Sequence, residues 1–262
     1  MERKSNLHLV VTLLGSGTCV PSLNRSSCSV LIEIGTGKLL IDAGPGTMRR
    51  LLETGTTIFD ISHIFFSHFH PDHTGELVPF LFSTKYAGIH KRKVPLTLCA
   101  GRGFVHFFEQ LKATYGRWIV LEPDMLKIYE LNNAASDCFT SDQFTVLSLP
   151  MRHNDESIGY RIIAPSGSSV VYTGDTDMCD NLVALSQNAN LLICESSFPD
   201  ELKTEGHLTP SQAGKVATDA NVQQLMLTHF YPECDGVDIE KECRKTYKGS
   251  LILAEDLMKL VI

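Results

Sequence analysis

The chain has 262 residues, 43% hydrophobic and 20% charged, with mean hydropathy near zero; this is a globular composition with enough apolar material for a full core. Its 19 Gly and 11 Pro fall below the share that marks low-complexity chains, which excludes disorder as a main theme. Against 23 basic residues stand 30 acidic ones, a formal charge of -7, and that balance does not favour nucleic acid or an anionic membrane.

In chain order, Arg3 and Lys4 before an apolar run imitate a secretory leader, but no small-residue cleavage site follows, and Leu7 to Leu14 reads as a first strand. Nothing approaches a membrane span of about 20 residues. Ser29 to Ile34 and Lys38 to Ile41 predict a hairpin turning at Gly35-Thr36-Gly37. Gly46 to Glu53 reads as helix, Ile61 to Phe66 as strand and Thr74 to Tyr86 as helix. Strands follow at Leu96 to Cys99, Lys127 to Leu131 and Phe144 to Leu149, with a helix from Gly103 to Tyr115. A second hairpin joins Ile158 to Ala164 with Ser169 to Thr173. The last third alternates helix and strand: Asn181 to Gln187, Leu191 to Cys194, Pro210 to Asp219, Gln224 to Leu227, Ile239 to Tyr247 and Leu251 to Ala254. Thr209-Pro210 fits an N-cap followed by Pro at the first helical position. With no linker or repeat, the reading is one α/β domain over 1–262, its mixed sheets covered by helices.

The eight cysteines show no C-x-x-C and no close pairs, which fits reduced core thiols and a cytoplasmic protein. Charge is uneven. From Lys85 to Arg117 seven basic residues stand against Glu109 alone, about +6, so a polyanion, if one docks, is expected there.

The segment that carries chemistry is Ser67-His68-Phe69-His70-Pro71-Asp72-His73, beginning where the strand Ile61 to Phe66 ends. An H-x-H-x-D-H pattern arises by chance roughly once in a thousand chains of this composition. Three imidazoles and a carboxylate within six residues cannot all face one point on a strand, whereas a loop can direct them to two adjacent cations. Neutral imidazole with carboxylate suits zinc, manganese or iron. Further ligands are expected immediately after strands, and His153, Asp175 and His229 stand at such places.

At this point the sequence resembles the metallo-β-lactamase superfamily and, within it, the ribonuclease Z-like phosphodiesterase branch. The resemblance rests on Leu40-Ile41-Asp42-Ala43-Gly44, the H-x-H-x-D-H loop, and His153 before Gly159-Tyr160-Arg161-Ile162. It continues through Tyr172-Thr173-Gly174-Asp175-Thr176, Glu195-Ser196-Ser197-Phe198, Gly206-His207-Leu208-Thr209 and Leu227-Thr228-His229-Phe230. It implies a four-layer αββα sandwich of two mixed β-sheets flanked by helices. It also implies two divalent cations, zinc first and Mn2+ or Fe2+ as alternatives, with His68, His70 and His153 on one and Asp72, His73 and His229 on the other. Asp175 would bridge them, and Asp42 would orient an imidazole. The catalytic group would be Asp72, holding the nucleophile's proton, with His207 as acid and Glu195 as its orienter.

Two cations depress the pKa of a bridging water towards 7 and clamp phosphodiester oxygens. The expected activity is hydrolysis of a small nucleotide or similar phosphodiester through a metal-bridging hydroxide. Pre-tRNA-processing members of this branch carry a long arm between the third metal histidine and the bridging aspartate. Here only 21 residues separate His153 from Asp175, so the arm is absent and tRNA 3' cleavage is the alternative. Hydrolysis of a lactone, thioester or sulfate ester on the same fold is a further one. A flavin-dependent oxidoreductase is opposed by His70 and chain length, and a non-catalytic relative by the full ligand set. The expected partner is a small anionic substrate, with nucleic acid admitted but not favoured, no membrane, and a homodimer left open.

Overall fold

The computed structural model describes residues 8–88 and 90–262. The first half runs β1 (Leu9–Gly15), β2 (Ser29–Ile34), β3 (Gly37–Ile41), α1 (Thr47–Glu53), β4 (His63–Phe66), α2 (Pro71–Thr74), α3 (Leu77–Tyr86), β5 (Leu96–Gly101), α4 (Phe104–Tyr115) and β6 (Leu126–Leu131). The second runs β7 (Asp137–Thr140), β8 (Thr145–Pro150), β9 (Ile158–Ile163), β10 (Ser169–Tyr172), α5 (Asp180–Ser186), β11 (Leu191–Glu195), α6 (Pro210–Asp219), β12 (Gln224–Thr228), α7 (Ile239–Cys243), β13 (Ser250–Leu253) and β14 (Lys259–Val261).

These strands form two seven-stranded sheets, ordered β14-β1-β2-β3-β4-β5-β6 and β13-β12-β11-β10-β9-β8-β7. Each is mixed. β1, β2 and β3 pair antiparallel while β3 to β6 run parallel; β7 to β10 pair antiparallel while β10 to β13 run parallel.

The period of two in the first sheet decides the layers. Val30, Ile32, Ile34, Leu39, Ile41 and Phe65 face the core between the sheets, whereas Leu31, Leu40, Ile64 and Phe66 face a second core shared with Phe80, Leu81 and Phe104 of the covering helices. Helices α5 and α6 cover the second sheet, so the expected αββα sandwich is what the chain forms. Truncating a side chain buried in either core, such as Phe65→Ala, removes contacts on all sides and costs about 3–5 kcal/mol. Tyr160, fully buried, donates its hydroxyl to Phe66 O at 2.7 Å and ties the second sheet to the end of β4.

Several boundaries differ from the sequence reading. The helix expected over Thr74 to Tyr86 breaks at Gly75 into α2 and α3, because Glu76 turns its carboxylate to the start of α1, accepting from Gly46 N at 2.8 Å and Met48 N at 2.6 Å. The helix expected to Tyr247 ends at Cys243. Edge strands β7 and β14, four and three residues long and partly exposed, are additions to the sequence reading. The first strand begins at Leu9, and Leu7 with the basic residues before it lies outside the described residues.

All eight cysteines are free. The basic stretch does not act as one face: Arg92 is buried with its guanidinium on Ile61 O, Lys85 binds Arg117 O and Val120 O, both at 2.6 Å, and Lys112 pairs with Glu109. Among the described residues no helix is long and apolar enough to cross a membrane.

Candidate metal centre

The C-terminal ends of the parallel strands in both sheets meet at one edge, where open α/β sheets generally bind ligands. Asp42 follows β3, the His68–His73 segment follows β4, Asp175 follows β10, Glu195 ends β11 and His229 follows β12; His153 follows β8. Two of these residues, Asp42 at φ 60° and His229 at φ 61°, adopt the left-handed conformation that side chains usually avoid, a local strain the surrounding structure must offset. Close approach of the strand ends also needs glycine. A Cβ on Gly174, at φ +58°, would stand 2.6 Å from the Ser67 Cβ, and one on Gly44 would stand 2.0 Å from Asp72 O.

All seven residues expected to hold metal converge. Asp175 divides them by its two oxygens. Oδ1 lies 3.3 Å from both His73 Nε2 and His229 Nε2, while Oδ2 lies 3.8 Å from His68 Nε2 and 3.9 Å from His153 Nε2. Asp72 Oδ2 sits with the first pair, 3.6 Å from His229 Nε2 and 3.8 Å from His73 Nε2. His70 sits with the second, its Nδ1 3.4 Å from His153 Nε2.

Two ligand atoms bound tetrahedrally to one cation at about 2.1 Å lie about 3.4 Å apart, so these spacings fit shared cations. The donor set fits as well. His68 Nε2, His73 Nε2, His229 Nε2 and Asp175 Oδ1 are buried without a hydrogen-bond partner, at a cost of about 1–3 kcal/mol each unless something positive satisfies them.

The outer nitrogens fix each ring. His68 Nδ1 meets Ser67 Oγ at 3.1 Å, His73 Nδ1 meets Asp42 Oδ2 at 2.7 Å, His153 Nδ1 meets Gly206 O at 2.9 Å and His229 Nδ1 meets Ser197 Oγ at 2.8 Å. Each Nε2 is thereby left to face the centre. Burial holds His68 well below the ordinary imidazole range, in the neutral form a cation needs. Burial would raise the Asp175 carboxyl, but His229, His73 and His68 outweigh it and hold it well below the carboxylate range. Asp72 is held down against burial by His229 and His73.

Two carboxylates organise the surroundings. Asp42 accepts from Ser67 N at 2.7 Å, Ser67 Oγ at 2.8 Å, His73 Nδ1 at 2.7 Å and Tyr172 Oη at 2.8 Å. Glu195 accepts from Thr176 N at 2.6 Å, Ser197 Oγ at 2.5 Å, Leu208 N at 3.1 Å and His207 Nδ1 at 3.2 Å. Burial opposes the charged form of His207, but the Glu195 hydrogen bond and charge outweigh it and raise its pKa. Sequence reasoning missed Ser67, Tyr172 and Ser197. All three stand inside the motifs, but a hydroxyl has no spacing signature of its own. His8, His90 and His106 are exposed and His63 is half-buried among aromatic rings.

A cavity of about 1060 Å³ opens on the other side of the ligand loop, between α3 and α4, lined by Phe69, Val78, Phe82, Phe107 and Trp118 among others. Its lining carries no histidine and no carboxylate, so we place the chemistry at the histidine cluster.

The fold and this cluster define a metal-dependent hydrolase of the metallo-β-lactamase type. The chain belongs to the beta-lactamase superfamily, its residues 38–230 matching the Beta-lactamase superfamily domain. It is 28% identical to a Ribonuclease Z of Methanosarcina mazei over 312 aligned positions, covering 97% of this chain and 98% of that one. It is 30% identical to Uncharacterized protein Rv1339 of Mycobacterium tuberculosis over 243 positions, covering 91% and 87%. Among solved structures, the metallo-beta-lactamase fold protein YhfI of Bacillus subtilis matches with TM-score 0.83 at 23% identity, covering 98% of this chain and all of that one. Human tRNase Z, short form, matches with TM-score 0.77 at 24% identity, covering 96% and 98%. Both structures share the fold.

The two alignments differ in their gaps. Since 97% of 262 residues is about 254, about 58 of the 312 positions shared with the ribonuclease Z have no counterpart here. The same arithmetic on 91% leaves about 5 of 243 for the mycobacterial protein. Between His153 and Asp175 this chain has only the β9–β10 hairpin.

Proposed function

We propose that this protein is a binuclear phosphodiesterase of small nucleotides or similar phosphodiesters. The division of four imidazoles between the two oxygens of Asp175, with Asp72 beside one pair and His70 beside the other, is the observation that carries the reading. His68, His70 and His153 would hold one divalent cation, Asp72, His73 and His229 the other, with Asp175 shared between them; the donor set suits zinc, with manganese or iron(II) as alternatives. Bound there, the cations supply a nucleophile from water at neutral pH and positive charge for the phosphate oxygens.

The protein's own residues do the rest. Asp72 receives the proton of the attacking water on the carboxylate oxygen that does not face the cation. Glu195 accepts a hydrogen bond from Nδ1–H of His207 and favours its imidazolium form; that ring hands its Nε2 proton to the leaving oxygen as the P–O bond breaks and stays neutral with Nδ1 protonated. A small ester is favoured over pre-tRNA because the segment between His153 and Asp175 is a plain hairpin, and the named ribonuclease Z has about 58 positions that this chain lacks.

Elemental analysis and calorimetry test the centre: wild type should carry two zinc ions per chain, and Asp175→Ala at most one, with its activity gone. Fewer than about one transition metal per chain after metal-replete growth removes the proposal. A panel then ranks substrates: 2',3'- and 3',5'-cyclic nucleotides, an aryl phosphodiester, a lactone, a glutathione thioester and a pre-tRNA, each with zinc and with manganese. Preference for the lactone or thioester, or cleavage of the pre-tRNA at its 3' side, replaces this reading with the corresponding alternative.

A further inference from the structure

Beside His207 lies a pair of aromatic rings that neither the metal cluster nor the hydrophobic core uses. Phe198 and Tyr231 are stacked, centroids 4.4 Å apart and planes 21° inclined. Both come from the strand ends that build the site: Phe198 follows Ser197 after β11, and Tyr231 stands two residues beyond His229. The Tyr231 N–H donates to Ser197 O at 3.2 Å, which locks the two loops together. Each ring meets His207 edge to face, Phe198 at 5.9 Å and Tyr231 at 6.2 Å, both at 70°, and Tyr231 meets His229 at 5.8 Å and 75°.

Their surroundings separate them from ordinary core aromatics. Phe230, between His229 and Tyr231, is buried in the core, whereas Phe198 and Tyr231 are half-buried and outside both core clusters. The Tyr231 hydroxyl lies 3.4 Å from Cys19 Sγ, on the exposed loop between β1 and β2. A pre-stacked pair of rings, held by a backbone bond and partly open to solvent, offers a planar apolar surface at little cost in side-chain freedom.

We propose that Phe198 and Tyr231 form a stacking platform for the nucleobase on the leaving side of the substrate, so that the site selects nucleobase-bearing phosphodiesters over base-free ones. The leaving side follows from their packing against His207, whose proton goes to the leaving oxygen. The proposal rests on the phosphodiesterase reading above. Base–aromatic stacking tolerates any base, because every base has a π-face, so the platform selects for a base and not for a particular one.

The test compares kcat/KM of the zinc-loaded protein for a nucleoside phosphodiester and for the matching ribose phosphodiester without a base. Phe198→Leu and Tyr231→Leu should each lower the ratio of the two by about 5- to 150-fold, mainly through KM of the base-bearing ester. Tyr231→Phe, which keeps the ring and loses the hydroxyl, should retain most of the ratio. Equal losses on both esters would mean that the rings only hold His207, and an unchanged ratio would mean that they touch nothing of the substrate; either overturns the platform.

Calorimetric binding of adenosine monophosphate against ribose 5-phosphate provides a readout independent of turnover. Wild type should bind the nucleotide more tightly by a similar factor, and Phe198→Leu should abolish the difference. If wild type turns over neither ester, the phosphodiesterase reading fails, while the binding comparison still decides the platform: equal affinities in wild type refute it.

Discussion

Two buried carboxylates serve this site, Asp42 and Glu195, and each collects four hydrogen bonds. They differ in what they hold. Asp42 holds Ser67, Tyr172 and His73, all buried, and through them the inner side of the ligand cluster. Glu195 holds Ser197, which receives the buried His229, and also His207, which is half-buried and reaches the solvent side. On the proposed reading, the same kind of satisfied carboxylate would fix a metal-facing ring in one place and poise a proton-carrying ring in the other, the exposure of the held histidine separating the two tasks.

The largest expected effect tests the Glu195 side. His207→Ala should lower kcat on an aryl phosphodiester by about 10²- to 10⁴-fold, the range for a positioned general acid, while zinc content measured by elemental analysis stays near wild type. Glu195→Gln should fall in the same direction, and the double variant should be little worse than His207→Ala alone, since the two act as one unit. A loss under about tenfold for His207→Ala would leave Glu195 with no proton to manage.

A smaller effect, of a different kind, is expected on the other side. Asp42→Asn should weaken zinc binding by about 10- to 100-fold, as loss of an outer partner of a metal-facing histidine does, with activity largely recovered at saturating zinc. If kcat at saturating zinc falls in Asp42→Asn as far as in Glu195→Gln, the contrast between the two carboxylates is void.

The smallest effect lies outside both networks and concerns stability alone. His63 sits 5.4 Å from Phe139 and 5.2 Å from Phe144, and burial lowers its pKa from 6.5 to about 4. Between those values the unfolded chain binds the proton and the folded chain does not, so stability falls as pH drops from 6.5 and levels off below about 4. The loss is at most about 3 kcal/mol. Urea unfolding of His63→Phe at pH 7 and pH 4.5 should show a smaller difference between the two pH values than wild type. An equal difference would remove His63 as a source of the acid sensitivity.

Much of the site is legible in the sequence because its signals are local. Three histidines and an aspartate within six residues after an apolar run can be read from the segment alone, and Thr209-Pro210 announces its helix in the same way, its capping box completed by Gln212. Strands with buried faces were found from their apolar runs. Edge strands β7 and β14 are not legible in this way, because β7 alternates between half-buried and exposed residues and β14 spans only three positions. The break at Gly75 was hidden for another reason: it depends on Glu76 binding the start of α1, 28 to 30 residues away.

By itself, then, the sequence determined the inventory of candidate ligands, the alternation that sorts side chains into layers, and the absence of a long insertion between His153 and Asp175. Only the tertiary structure decided which oxygen of Asp175 faces which histidines, that Tyr172 reaches Asp42 across 130 residues, and that Ser197 joins His229 to Glu195. Ligand type and periodicity are properties of neighbouring residues, whereas these partnerships exist only once two sheets bring their strand ends to one edge.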